Sequence, residues 1–430
     1  MKILINDALL LTTDQKGDYE VKKGDIAIDG NKIIKVADIG ELPQGWQAEK
    51  LISGENKLVM PGFVNTHTHA GMTLFRGFAD DLPLMKWLQE KIWPLENNLT
   101  GEDVYWGTML AAAEMLKSGT TTFSDMYFFM DDTARAVEEA GIRACLARGM
   151  VIYTAKESVP EAKAFVKRWN NTADGRITTL LGPHAPYTCP PEFLKEVINL
   201  ADELEVGLHI HLAETQHEVN EMIEKYGLSP IRLMDSIKLF ERHVLAAHVV
   251  YADNEEIEIL KAKNVHVAHN PESNMKLASG IAPIPAMLNA GINVSLGTDG
   301  AASNNNLDML TEMRAMTFMH KVATLNPEII PAHEALKIAT VNGAKALGLQ
   351  NVGILAPGMK ADVICIDYAK VHMQPLHNIM ANIVYSAQPS DVSHTIVNGK
   401  ILLEDCKLTT LDEEKIIYHA QKCAYRLAQA

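Results

Sequence analysis

The sequence contains no run of 18 apolar residues, so no membrane-spanning helix is expected. Its five cysteines, at positions 145, 189, 365, 406 and 423, are scattered, odd in number and form no CxxC pair. That excludes a disulfide framework and a thiolate zinc knot, and it suits reduced thiols in the cytoplasm. Positive charge is also short. Lys and Arg number 39 against 54 Asp and Glu, a net charge of −15, which speaks against a nucleic-acid backbone or an anionic membrane as partner. The opening MKILINDALLLTTDQKGDYEV turns polar before an apolar stretch of secretory length develops, so a secretory leader is not expected. No low-complexity linker interrupts the chain. What is present is core: 47% hydrophobic residues over 430 positions, enough for one large globular domain and a smaller one.

The middle of the chain repeats one theme, a helix-period segment, a Gly or Asn stop, then a short β-branched apolar run. In TGEDVYWGTMLAAAEMLKSG, Thr100 is placed to cap a helix, Val104, Leu110, Ala113 and Leu116 share a face, and Gly119 ends it. Strands are expected near 58–65, 120–125, 142–148, 177–183, 206–212, 243–249, 264–269 and 292–298. Eight alternations of strand and helix predict an α/β fold, a (β/α)8 TIM-like barrel over 58–351, in preference to an open doubly-wound sheet. The ends have a different texture. Residues 1–57 and 352–411 carry hairpin marks, including the turn pairs Asp29-Gly30 and Asn398-Gly399. They predict a small β-sandwich domain built from both termini, with 412–430 a C-terminal surface helix.

Histidines gather where those strands end. His67 and His69 follow the first strand in PGFVNTHTH, and His209 and His211 lie in HIHLAE with Glu214 three residues on. His184 ends the fourth strand, His248 the sixth, His269 the seventh, and Asp299 the eighth. Alternate strand residues share a face, and barrels collect their chemistry at the carboxyl ends of the strands. Any one of these residues alone reads as a hydrogen-bonded rim group or a turn. Together, on one rim, they point to a metal site. His209, two positions deeper than His211, is expected to sit behind the site or pack, and His266 to be structural.

Three imidazoles and a carboxylate suit one divalent metal, Zn2+ first and Fe2+ as runner-up. Such an ion lowers the pKa of its water from 15.7 to about 7 and supplies hydroxide at neutral pH. Glu214 is then a proton shuttle, Asp299 an acceptor of the water's proton, and His248 a group that polarises or orients the group under attack. The chemistry is hydrolysis at an electron-poor carbon, either an amide or an amino-substituted heteroaromatic ring. No lysine ends the fourth strand to carry a bridging carbamate, which favours one metal over two.

PGFVNTHTH, HIHLAE, GTD and VNGAKALGL…GILAPGMKADVICID resemble the amidohydrolase superfamily over nearly the whole chain. NTHTHAGMTLFRGFADDLPLMKWLQEKIWPLE, LGPHAPYTCP and TDGAASNNNLDML are similar to the 5′-methylthioadenosine/S-adenosylhomocysteine deaminases within it. The resemblance implies that His67, His69, His211 and Asp299 bind the metal. It implies that Glu214 protonates the purine nitrogen beside the attacked carbon, Glu96 grips the ribose hydroxyls, and His184 contacts the nucleoside. Arg148 matches an arginine that pairs with a homocysteine carboxylate, a fork the guanidinium geometry suits. Trp87, Trp93 and Met72 are candidates to wall the purine or thioether, or to be core. The implied partner is a small nucleoside, with homo-oligomers common among such enzymes. Alternatives are another one-metal aminohydrolase of the superfamily, acting on guanine-type or triazine substrates, and a non-catalytic scaffold. A nucleic-acid deaminase would want a basic face and an HxE…PCxxC signature, and neither is present.

Overall fold

The computed structural model describes residues 1–13 and 18–429. Residues 14–17, inside the expected amino-terminal β region, and 430, at the end of the expected tail, lie outside the described residues. The chain begins with β1 (Lys2–Thr13), β2 (Tyr19–Asp29), β3 (Lys32–Ala37), β4 (Lys50–Ser53) and β5 (Lys57–Pro61). Next come β6 (Phe63–Thr68), β7 (Thr120–Tyr127), β8 (Arg143–Met150), β9 (Ile177–Pro183), β10 (Leu208–Leu212), β11 (Val244–His248), β12 (His266–His269) and β13 (Val294–Leu296). The last strands are β14 (Val363–Asp367), β15 (Val392–Val397), β16 (Lys400–Glu404) and β17 (Lys407–Leu408).

β6 to β13 pair in chain order and in parallel, with helices between them, as a (β/α)8 barrel requires. The seam between β13 and β6 is closed mainly by side chains. Thr66 Oγ1 donates to the Leu296 carbonyl at 2.9 Å, Asn65 bridges Thr298 at 2.8 and 3.0 Å, and the Asp299 amide donates to the His67 carbonyl at 2.9 Å. That last bond joins the two ends of the cylinder at the rim where the histidines lie.

The terminal strands form one sheet, in the order β17-β16-β15-β14-β5-β1-β2-β3 with β4 beside β1. The sheet folds over, so that β3 meets residues 358–361 through Ile33 to Met359, Gly358 to Ile33 and Ala361 to Asn31 main-chain bonds. Its interior is apolar, with Ile3, Ile5, Ile26, Ile28, Val363 and Ile396 fully buried. Along β1 the buried positions switch from odd (Ile3, Ile5) to even (Ala8, Leu10) across a bulge, where Asp7 adopts φ 57°. The Asn398-Gly399 turn has φ of 50° and 75°, the two left-handed residues that a type I′ hairpin demands.

The strand expected over 58–65 is two strands. β5 pairs with β14 in the terminal sheet, whereas β6 is the first barrel strand. Gly62 stands between them against Thr121, where a Cβ would come within 2.1 Å of the threonine methyl. Only glycine lets the chain pass from one sheet to the other at that distance. One apolar run therefore serves two layers.

The helix Gly101–Lys117 is built as expected, with Thr100 and Asp103 in a reciprocal capping box and Gly119 at φ 89° beyond its end. The helix Glu413–Ala428 lies on it, burying Ile416, Ala420, Cys423 and Leu427, with Trp106 stacked on His419. All five cysteines are free, and among the described residues no helix is long and apolar enough to cross a membrane.

Candidate active site

At the carboxyl ends of the barrel strands, four donor atoms converge. His67 Nε2 and His69 Nε2 lie 3.4 and 3.2 Å from Asp299 Oδ1, and His211 Nε2 lies 3.3 Å from His69 Nε2. His67, His69 and His211, and likewise His67, His248 and Asp299, offer ligand atoms within 4.8 Å of one another. His67 is fully buried, and Asp299 is only 6% exposed.

The other face of each ring is already engaged. His69 Nδ1 donates to the Met126 carbonyl at 2.6 Å and His211 Nδ1 to the His184 carbonyl at 2.7 Å. A carbonyl only accepts, so both Nδ1 atoms carry hydrogen, and in the neutral rings two Nε2 lone pairs face each other beside a carboxylate. His67 Nδ1 lies 2.8 Å from His209 Nε2, whose Nδ1 is 3.3 Å from Ser124 Oγ, while His67 Nε2 is buried without a hydrogen-bond partner. Lone pairs turned on one another, with a buried orphan nitrogen among them, are stable only around a cation. The donor set fits a divalent metal, and the bonds behind it are those that orient metal-binding imidazoles.

The electrostatics agree. Burial pushes His67 down to about 4 against the pull of Asp299. Burial also opposes charge on His69, but the hydrogen bond and charge of Asp299, with the Met126 carbonyl, hold it at about 9. His211 is driven well down by burial and by its neighbouring imidazoles, which leaves a free donor lone pair. Asp299, despite burial, is held well below the usual carboxylate range by His67 and His69.

The remaining predicted residues apart from Arg148 surround a cavity of about 510 Å³ lined by His69, His184, His211, His248, Glu96, Glu214 and Asp299 together with Trp87, Trp93 and Met72. Glu214 follows β10, and its carboxyl is raised by burial. Its main chain is gripped by Glu218, whose two oxygens accept from the Ala213 and Glu214 amides at 2.9 and 2.8 Å. His248 Nδ1 lies 2.9 Å from Asn274 Oδ1, which turns Nε2 toward the cluster. His184 is pushed down to about 3 by burial and the surrounding imidazoles, and its Nδ1 meets Thr188 at 2.8 Å. Glu96, at the end of the helix Trp93–Glu96, accepts from the Tyr127 hydroxyl at 2.7 Å, and burial lifts it to about 7.

Arg148 is not brought to the cavity wall. Its guanidinium holds Glu161 at 2.8 and 3.0 Å, bonds the Gly149 carbonyl and rests 5.3 Å from the centre of the Phe128 ring. His209 lies behind His67, His266 sits at the opposite end of β12 beside Asn293, and His269 turns away to His320 at 3.2 Å. Four contributing residues have no counterpart among the expected ones. Tyr127 orients Glu96, Ser273 and Ser303 donate to Asp299 Oδ2 at 2.7 and 2.9 Å, and Glu218 cradles the Glu214 loop. Only Glu218 left a trace, because TQHE reads as a helix-capping box.

The backbone at this rim is strained. Ala213, His248 and Asp299 take φ of 50°, 73° and 62°, left-handed values that cost non-glycine residues of order 1–3 kcal/mol each. Ala213 directly follows β10, His248 is the last residue of β11, and Asp299 lies three residues past β13, where a sharp exit turns the chain at the rim.

A parallel barrel with this cluster at its carboxyl rim is the frame of a metal-dependent hydrolase, and the chain belongs to the amidohydrolase family, which it matches over residues 58–402. It is 55% identical over 427 residues to the 5-methylthioadenosine/S-adenosylhomocysteine deaminase of Pelotomaculum thermopropionicum, covering 99% of this chain and 98% of that protein. It is 50% identical over 429 residues to the 5′-deoxyadenosine deaminase of Methanosarcina mazei, covering 99% and 98%. Among solved structures it is similar to an adenosine deaminase from Xanthomonas campestris with bound zinc, at a TM-score of 0.96 and 34% identity over 100% of this chain and 99% of that one. The family and the histidine–aspartate cluster together support a divalent metal.

Proposed function

We propose that this protein removes the 6-amino group of 5′-methylthioadenosine and S-adenosylhomocysteine by hydrolysis, giving the inosyl analogue and ammonia. The observation that carries the reading is the convergence of His67, His69, His211 and Asp299 at the floor of the cavity that Glu214 lines. The deaminase names of the relatives support the substrate class.

His67, His69, His211 and Asp299 would hold the ion, and three imidazoles with one carboxylate favour zinc. When bound, it supplies an acidified water as nucleophile near neutral pH. The protein's own groups do the rest. Glu214, raised by burial, is suited to carry a proton. It takes one from the attacking water and delivers it to purine N1, which draws electron density from C6 as the C6–O bond forms. Asp299 accepts the second proton and returns it to the amino nitrogen, so that the C6–N bond breaks with ammonia leaving. His248, with Nδ1 spent on Asn274, presents Nε2 as an acceptor that orients the water. Glu96 has one oxygen on Tyr127 and the other to accept ribose hydroxyls. His184 bounds the nucleoside from the β9 end. Cytoplasmic residence and self-association complete the reading; Phe318 and Val322 on the helix Met309–Thr324 and Leu325 just past its end are exposed and apolar, a face suited to the latter.

The test is ammonia release from adenosine, 5′-methylthioadenosine, S-adenosylhomocysteine, guanine and a chlorotriazine, with metal analysis of the same preparation. Adenine nucleosides turn over and zinc is found near one per chain. Guanine or the triazine as best substrate removes the reading.

A further inference from the structure

Glu218 is a buried carboxylate that the reaction proposed above does not use. It is 3% exposed, does not line the cavity, and stands at the third position of the helix Gln216–Tyr226. A glutamate there ordinarily returns to the amide of the capping residue. Here that residue is Thr215, whose hydroxyl already caps the helix by accepting from the Glu218 amide at 3.2 Å. The Glu218 side chain reaches past it. Its Oε1 accepts from the Ala213 amide at 2.9 Å and its Oε2 from the Glu214 amide at 2.8 Å. Ala213 is left-handed at φ 50°, which turns these two successive amides into a concavity that takes an anion. Burial lifts the carboxyl to about 8, and the groups that most favour its charge are main-chain amides, not a cation. An ionised group is costly in such a place, and the helix does not need it. The other side of the elbow is held as well. The Ala213 carbonyl accepts from the Val250 and Tyr251 amides at 3.0 Å each, and the Leu212 carbonyl from the Val249 amide at 3.0 Å. The chain exit that carries Glu214 is thereby bonded to the one that follows His248.

We infer that Glu218 is a positioning residue, which holds the Glu214 carboxyl at the reacting atoms by fixing both amides of its elbow while touching neither substrate nor metal. The inference rests on the deaminase reading above, in which Glu214 moves the proton. A carboxylate offers an acceptor on each oxygen. The isosteric amide offers one, and turns its NH2 on the second main-chain N–H. Glu218→Gln therefore keeps the volume of the side chain and loosens the elbow, and a displacement of about 1 Å at a reacting group costs of order 10²-fold in rate.

The experiment measures kcat, KM and bound metal in Glu218→Gln, Glu214→Gln and the double variant, with 5′-methylthioadenosine as substrate. Glu218→Gln is expected to lose about 10²-fold in kcat with KM and metal little changed. Glu218→Asp, which keeps both acceptors on a shorter arm, is expected to recover part of that loss. In the Glu214→Gln background the second substitution is expected to cost no more than about twofold, because an elbow without its proton carrier has nothing left to position. A double variant in which the two losses multiply overturns the inference, as does a kcat in Glu218→Gln close to that of the parent. Loss of the folded state or of the metal in both Glu218 variants also overturns it, since the carboxylate would then hold the fold. Hydrogen exchange reads the elbow without turnover. The Ala213 and Glu214 amides are expected to exchange faster in Glu218→Gln while the helix Gln216–Tyr226 stays protected, and unchanged exchange at those two amides counts against the inference. If the parent releases no ammonia from any adenine nucleoside, the deaminase reading fails, and the exchange rates still decide whether Glu218 fixes the elbow.

Discussion

At the amino-terminal end of the barrel, Arg143 and Asp362 lie buried with Nε 2.6 Å and Nη2 3.1 Å from the two carboxylate oxygens. Arg143 also donates to the Gly175 carbonyl, and Asp362 also accepts from the Asn398 amide. At the opposite rim His67 keeps a buried nitrogen without a partner, the Nε2 atoms of His69 and His211 stand 3.3 Å apart, and Ala213, His248, Val249 and Asp299 are left-handed. Both regions enclose charge away from water. The first pairs a cation with an anion and ties barrel to terminal sheet, whereas the second keeps an excess of acceptors that a cation and a substrate must satisfy. Buried polarity is a matter of stability where it is closed and of chemistry where it is left open.

The sharpest way to probe the contrast is Glu214→Gln. It keeps the shape of the open end but removes the proton carrier, and kcat is expected to fall by about 10³-fold with bound metal unchanged, read by turnover and metal analysis. Near-normal turnover would take Glu214 out of the mechanism. Arg143→Ala strikes the closed end and leaves Asp362 buried without its cation. About 3–5 kcal/mol of stability is expected to disappear in chemical denaturation, while the folded fraction keeps its KM. A variant as stable as the parent would mean that water or a neighbour replaces the guanidinium.

Glu96→Gln is milder, with KM for nucleosides rising about tenfold and kcat little changed. Its parent also sets a pH dependence. Glu96 is lifted by burial to about 7, and the ionised form is the better acceptor for two hydroxyls. Affinity for ribosides should therefore strengthen as pH rises through 7 and weaken below it, and Glu96→Gln should lose that limb. A KM profile that keeps the limb in the variant assigns it to another group. The smallest change lies between the two ends. Thr100→Ala removes the cap of the helix Gly101–Lys117 and should lower stability by about 1 kcal/mol with kcat and KM unmoved.

Much of the open end could be read along the chain because each candidate sits where an apolar run stops. His67, His69, His211, His248 and Asp299 need only strand order to share a rim, and the parallel ladder brings them together. Glu214 was legible for the same reason. Tyr127 and Ser273 were not, because a hydroxyl that orients a carboxylate across 31 or 26 residues has no local signature, and Ser303, four residues past Asp299, is one of several small polar residues in its loop with nothing to single it out. Arg148 shows a contact that the sequence pattern does not reveal. Its position at the end of β8 was plain, but Glu161, 13 residues on, decides where the guanidinium points. The break at Gly62 escaped notice because hydrophobicity reports burial and not which of two sheets provides it.

The sequence by itself determined the barrel, the pairing of both termini into a second sheet and the ligand-bearing strand ends, since periodicity and chain order are properties of neighbours along the chain. Tertiary structure alone decided which nitrogen of each imidazole faces the centre, which carboxylate Tyr127 steadies, and what charge the cavity wall presents. Those outcomes depend on hydrogen bonds and desolvation between residues far apart in sequence, and such energies exist only once the chain has closed on itself.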